Sequence, residues 1–181
     1  LQGNFGQHKK MLDILGIENI LIRYSYDVEK CDALVIPGGE STAMSKQIDR
    51  NNLRPVLKEY SKTNSLLGTC AGMILLSSTQ ESKNLRPLGI MDFTVNRNAY
   101  GSQIESFSDY LCLDFCEESD FHGVFIRAPK VLNMGKNIRI LATYKKNPVM
   151  ITDGRHCVTS FHPEIGTDFR IHNYFMELIN A

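Results

Sequence analysis

Twice in its first half the chain runs a short apolar segment straight into a turn of small residues and then into a helical pattern. Ala33-Leu34-Val35-Ile36 is cut off by Pro37-Gly38-Gly39, after which Ser41 or Thr42 can cap a helix reaching Ile48. Ser65–Thr69 meets Cys70-Ala71-Gly72, and a helical pattern follows over Cys70–Ser78. Short apolar runs bounded by such breakers read as buried strands. Strands that alternate with helices need crossover connections, so the pattern predicts an α/β layer fold around a parallel sheet. Three neighbours extend it. Gln7–Leu15 reads as a helix stopped by Gly16, Ile20–Arg23 as another buried strand, and Leu53–Lys62 as a helix with Pro55 in its first turn.

The second half is strand-like, with few helices. Ile90–Val95, Tyr110–Phe115, Gly123–Arg127, Ile138–Tyr144, Val149–Thr152 and Cys157–Phe161 carry the signal, and Asp153-Gly154 marks a hairpin between the last two. Phe169–Ile179 closes the chain as an amphipathic helix with Ile171, Phe175, Leu178 and Ile179 on one face. No repeat or linker divides the 181 residues, so residues 1–181 are expected to form a single domain. Twenty basic and twenty acidic residues leave no net charge. That balance argues against a nucleic-acid or membrane-surface partner. An odd number of cysteines, five, without CxxC pairs fits neither a disulfide framework nor a zinc ribbon. Reduced thiols, and with them a cytoplasmic location, are the expectation, and nothing calls for a metal or an organic cofactor.

Gly68-Thr69-Cys70-Ala71-Gly72 has the form G-x-C-x-G between a strand and a helix, the cysteine version of a nucleophile elbow. Small residues there permit a tight turn that lifts the thiol above the sheet, at a helix start whose N–H groups suit an anion. A lone cysteine is more often buried and inert. The flanking glycines bring the two readings level, and a second signal favours chemistry. In Phe161-His162-Pro163-Glu164 the histidine and glutamate lie two residues apart in an extended segment, on one side, as base and orienter of a Cys–His–Glu triad. His8, His122, His156 and His172 lack that context and read as structural. Pro37-Gly38-Gly39-Glu40-Ser41 can bring bare backbone to a developing oxyanion, or serve only as a strand-to-helix turn. Arg97 and Arg127, at strand ends, can grip a carboxylate or merely be solvated.

Together these motifs resemble the class I (triad) glutamine amidotransferases. Within that class the chain is similar to the glutaminase subunits of pyridoxal 5′-phosphate synthase. The likeness rests on Leu1-Gln2-Gly3, Pro37–Thr42, Gly68–Leu76, Arg97-Asn98, Tyr100–Gln103, Ser106-Phe107 and Ile126–Pro129, with Met73-Ile74 after the elbow as in that branch. The resemblance implies a flavodoxin-like three-layer fold, a mostly parallel central sheet with helices on both faces. It implies hydrolysis of L-glutamine to L-glutamate and ammonia through a thioester, with ammonia passed to a (β/α)8 synthase subunit in a hetero-oligomeric complex for vitamin B6 biosynthesis. Cys70 is then the nucleophile, with His162 and Glu164 behind it. Gly39, Glu40, Ser41, Arg97, Ile126 and Arg127 match glutamine-contacting positions, and Gly39 and Ala71 the oxyanion hole. No cofactor or metal is implied. The family begins with a strand before Leu-Gln-Gly that this chain is expected to lack. The subunit is expected to be poor alone, with one oxyanion donor turned away until a partner binds. Two alternatives remain: the glutaminase of imidazole glycerol phosphate synthase, and a non-amidotransferase protein with a reactive cysteine.

Overall fold

The computed structural model describes residues 2–80, 85–97, 106–116 and 120–180. In chain order its elements are α1 (Phe5–Ile14), α2 (Ser25–Val28), β1 (Ala33–Ile36), α3 (Ser41–Arg50), α4 (Leu53–Tyr60), β2 (Ser65–Thr69), α5 (Ala71–Leu76) and β3 (Ser77–Gln80). They continue with β4 (Met91–Asn96), β5 (Ser106–Leu111), β6 (Phe121–Ile126), β7 (Lys130–Met134), β8 (Arg139–Tyr144), β9 (Asn147–Thr152), β10 (Cys157–Thr159) and α6 (Arg170–Ile179).

All five residues of β2 are buried, and the fold is arranged about that strand. The central sheet has the order β1-β2-β10-β9-β8. β1, β2 and β10 are mutually parallel, whereas β9 pairs antiparallel with both β10 and β8, so the sheet is mixed and its parallel part carries the elbow. Alternate residues feed two cores. Leu34, Ile36, Leu66 and Val158 pack with Met44, Ile48, Leu57 and Met73 of α3, α4 and α5. Leu67 and Cys157 pack on the other face with Ile171 and Phe175 of α6 and with Phe121 and Phe125 of β6. A strand covered on both sides gains from every side chain, roughly 1.5–3 kcal/mol for each fully buried large aliphatic or Phe. The helices thus lie on both faces, as expected of a three-layer α/β fold.

Smaller units complete the molecule. β3, β4 and β7 form a three-stranded sheet, and β5 and β6 an antiparallel ribbon in which Phe107 stacks on Phe125 with centroids 4.5 Å apart. Several expectations need correction. Residues 20–23 form no strand among the described residues; Ile20 and Leu21 are 46 % and 41 % exposed, and an extended run becomes a strand only with a ladder partner. The helix after the elbow ends at Leu76, because Ser77–Gln80 pairs in parallel with β4. The strand expected at Tyr110–Phe115 lies earlier, at Ser106–Leu111, leaving Leu113 only a bridge to Ala142. β7 carries no strand signal in the sequence, because its apolar residues fall on both faces, with Val131 buried and Leu132 and Met134 exposed. The Asp153-Gly154 hairpin joins β9 to β10, with Thr152 opposite Cys157.

Candidate active site

The elbow is built by three local constraints. The Cys70 N–H donates to the Thr159 carbonyl at 2.8 Å, so the β2–β10 ladder holds the residue after the strand has ended. Its backbone then turns to φ 48°, ψ −100°, a conformation that costs an L-residue about 1–3 kcal/mol and persists only where surroundings impose it. Gly72 permits the sharp return. A Cβ there would overlap the Ile36 carbonyl oxygen, so only glycine lets α5 start directly against the end of β1. Cys70 is left 7 % exposed, with its Sγ–H donating to the Ile126 carbonyl oxygen at the end of β6 at 3.5 Å.

His162 reaches the same place from β10. Its N–H donates to the Val124 carbonyl at 2.8 Å, and Phe161 is anchored between Phe121 and Phe125, each centroid 5.6 Å away. The Nδ1 nitrogen lies 2.7 Å from Glu164 Oε1, and the ring and the Cys70 side chain flank the same glycine, Gly38. Gly38 backs the ring so closely that a Cβ would overlap Cε1. Burial by itself would push the imidazole down; its interaction with Cys70, its hydrogen bond to Glu164 and the negative charge of both outweigh it and raise it to about 10. Burial would likewise push Glu164 up, but the hydrogen bond from His162 and the neighbouring imidazoles hold it below the usual carboxylate range. The arrangement is a buried cysteine–histidine–carboxylate line in which the carboxylate orients the imidazole and favours its charged form.

Two contacts escaped the sequence reading. Asn4 Nδ2 donates to Glu164 Oε1 at 2.9 Å, and His8, which read as structural, places Nε2 3.3 Å from Glu164 Oε2. Both come from the opposite end of the chain, so no spacing in the sequence announces them.

The remaining predicted residues divide. Glu40, rather than Ser41 or Thr42, caps α3: its carboxylate accepts from the Thr42 and Ala43 N–H groups at 3.0 and 2.6 Å. Ser41 is buried. Arg97 reaches the same corner, donating to Thr42 Oγ1 at 3.2 Å with Glu40 Oε1 3.4 Å away. A Cβ on Gly38 would lie 3.4 Å from that of Cys70, and Gly39 adjoins Gly3 and Met44, which sets the glycine turn at the rim of the elbow. Ala71, buried, opens α5. Ile126 meets the thiol through its backbone, and Arg127 follows at φ 46° with an exposed side chain. Leu1, Asn98 and Tyr100–Gln103 lie outside the described residues.

The model of the SNO glutamine amidotransferase family matches residues 1–181. The chain is 43 % identical, over 99 % of its length and 95 % of the relative's, to the pyridoxal 5′-phosphate synthase subunit PdxT of Thermosipho africanus. It is 41 % identical to the protein of the same name from Oenococcus oeni, over 98 % and 93 % of the two chains. A crystal structure of a glutamine amidotransferase superposes with TM-score 0.94 at 38 % identity, covering 100 % of this chain and 96 % of that one. A putative GMP synthase protein from Thermoplasma acidophilum shares the fold at TM-score 0.69 and 15 % identity, covering 99 % and 89 %. The chain belongs to the SNO glutamine amidotransferase family.

Proposed function

We propose that this chain hydrolyses L-glutamine to L-glutamate and ammonia and delivers the ammonia to a synthase subunit that makes pyridoxal 5′-phosphate. The observation that carries the reading is the strained Cys70 at the elbow beside an imidazole that is itself 2.7 Å from Glu164. The family match supports glutamine as the substrate, and full-length similarity to pyridoxal 5′-phosphate synthase subunits supports the destination of the ammonia.

In this reading the Cys70 thiolate attacks the side-chain amide carbon of glutamine. N–H groups of Gly39 and Ala71 receive the developing oxyanion. His162, as imidazolium, gives its proton to the departing nitrogen, and ammonia leaves a γ-glutamyl thioester. Water then adds to the thioester, losing a proton to His162, and the collapse releases glutamate and restores the thiolate. Glutamine and water are consumed, and glutamate and ammonia formed. Glu164 keeps the imidazole aligned and favours its charged form. Gly39, Glu40, Ser41, Arg97, Ile126 and Arg127 form the substrate cradle, the arginines for the α-carboxylate.

Hydrolysis also depends on assembly. Asn4 N–H donates to the Gly38 carbonyl at 2.9 Å, and Gln2 N–H to Gln47 Oε1 at 2.9 Å, so the segment before α1 leans on the turn proposed to bind the oxyanion. A (β/α)8 synthase partner engaging that segment can reorient the turn, and one misdirected donor typically costs about 10²–10³ in kcat. All five cysteines are free, which supports a reducing compartment, the cytoplasm. The test is the initial rate of ammonia release from saturating glutamine, alone and with excess pyridoxal 5′-phosphate synthase subunit. Activation of the wild-type chain and silence of Cys70→Ala are expected. Equal rates with and without partner would remove the gating, and activation only by a histidine-pathway synthase would reassign the chain.

A further inference from the structure

Glu164 is the meeting point of more polar groups than a Cys–His–carboxylate line requires. Oε1 is shared by His162 Nδ1 at 2.7 Å and Asn4 Nδ2 at 2.9 Å. Oε2 has no close hydrogen bond, and it faces His8 Nε2 at 3.3 Å. The same nitrogen is 3.1 Å from Thr69 Oγ1, while His8 Nδ1 is 3.1 Å from His172 Nε2. Thr69, next to the nucleophile in sequence, is fully buried, and His8, Glu164 and His172 are almost so.

Donors and acceptors in this cluster can be assigned by elimination. The Thr69 hydroxyl donates to the Phe161 carbonyl at 2.8 Å, leaving its oxygen free to accept. His8 Nε2 therefore faces two acceptors, Thr69 Oγ1 and Glu164 Oε2, and must carry the proton. His8 Nδ1 is then a lone pair, which accepts from His172 Nε2–H. What remains is the lone pair on His172 Nδ1, the buried ring nitrogen without a partner. The opposite tautomers would strand an N–H there and aim a lone pair at a carboxylate, at higher cost. Neutrality of both rings fits their surroundings: burial lowers His8, against the pull of Glu164, and burial with His8 alongside pushes His172 down to about 4.

We propose that Asn4 and His8 are positioning residues that keep the Glu164 carboxylate ionised and in one rotamer behind His162, with His172 fixing the His8 tautomer. The inference rests on the triad reading above. A buried carboxylate that loses part of its polar surroundings is driven to take up a proton, and a protonated Glu164 no longer supports an imidazolium. Two donors on Oε1 and the His8 Nε2–H that faces Oε2 at 3.3 Å oppose that. The titratable groups around Glu164 among the described residues are His162 after β10, His8 of α1, His172 of α6 and Cys70 of the elbow. Lys10 of α1 lines the groove of about 180 Å³ that reaches Glu164 from outside.

The experiment measures kcat and KM for glutamine from pH 5 to 10 on the full chain with its synthase partner, for wild type, His8→Leu, His8→Gln, Asn4→Ala and Cys70→Ala. His8→Leu should lower kcat about 10- to 100-fold with KM unchanged, and move the acid limb of kcat upward by about one pH unit as Glu164 protonates sooner. His8→Gln, whose amide nitrogen can occupy the place of Nε2, should recover most of kcat and return the acid limb. Asn4→Ala, at the partly exposed edge, should lower kcat about 3- to 10-fold with the same direction of shift. It carries the test if His8→Leu does not fold. Wild-type kcat in the His8 variants, or equal losses in Leu and Gln with an unmoved acid limb, overturns the proposal. Asn4→Ala with an unmoved limb does the same. Wild-type hydrolysis by Cys70→Ala would instead overturn the triad on which the proposal rests.

Discussion

At the entrance to β10 the chain carries Asp153 and His156; at the exit it carries His162 and Glu164. Both histidines are buried, and each has a carboxylate two or three residues away. At the entrance the acid is committed to backbone: Asp153 Oδ1 accepts from the Arg155 and His156 N–H groups at 3.0 and 2.7 Å, closing the hairpin. His156 is left to accept the Leu66 N–H on Nδ1 at 3.2 Å, and burial lowers it despite Asp153. At the exit Pro163 contributes no N–H, and the Glu164 carboxylate turns to the imidazole, which is raised. The roomier cleft, about 880 Å³ and lined by Lys58, Lys62, Arg155 and His156, lies at the entrance, where no cysteine faces it. A histidine near an acid becomes chemistry only when the carboxylate answers the ring instead of the chain, and when a nucleophile stands opposite.

The contrast breaks most easily by deletion at each end. Cys70→Ala and His162→Asn should each lower kcat by at least about 10³, whereas His156→Ala should leave kcat within about twofold. His156→Ala should instead cost about 1–3 kcal/mol of unfolding free energy, because the Leu66 N–H loses its acceptor in the core. Ammonia release and urea midpoints measure both. A catalytic loss in His156→Ala as large as that in His162→Asn would erase the distinction.

Acid and alkali separate the same histidines. His162 is raised, so the stability it contributes is complete below pH 6.5 and is lost as pH rises through about 10. His172 is lowered to about 4, so its contribution is present above pH 6.5 and fades as pH falls through 4, by about 3 kcal/mol in all. Unfolding free energy measured from pH 4 to 7 should therefore rise with pH, and His172→Phe should flatten that slope. An unchanged slope would mean that His172 is not the group taking up the proton.

Replacing the orienter sharpens the comparison. Glu164→Gln keeps the shape, loses the charge and should lower kcat about 10- to 100-fold, less than His162→Asn, while Asp153→Asn should leave kcat unaltered. Smaller still is the effect expected at the proposed substrate cradle. Arg97→Ala and Arg127→Ala should raise KM for glutamine about tenfold with little change in kcat, as expected for one charge-assisted hydrogen bond. Unchanged KM in both would return these arginines to the solvated surface.

The sequence by itself determined the α/β class, the two strand–turn–helix units, the Asp153-Gly154 hairpin and the Cys70, His162 and Glu164 constellation. These are legible because breakers, small residues and i, i+2 spacing act over a few residues, where local sterics rule. Tertiary structure decided what depends on a distant partner. Residues 20–23 are extended in pattern yet find no ladder among the described residues, and Ser77–Gln80 leaves its helical pattern to pair with β4. Glu40 caps α3 although Ser41 and Thr42 are good caps, because its longer carboxylate reaches two N–H groups and Arg97 together. Asn4 and His8 meet Glu164 across about 160 residues of chain, a contact created by α1 docking beside the end of β10. Spacing encodes neighbours along the backbone; burial and hydrogen bonding between remote segments arise only once the layers have closed.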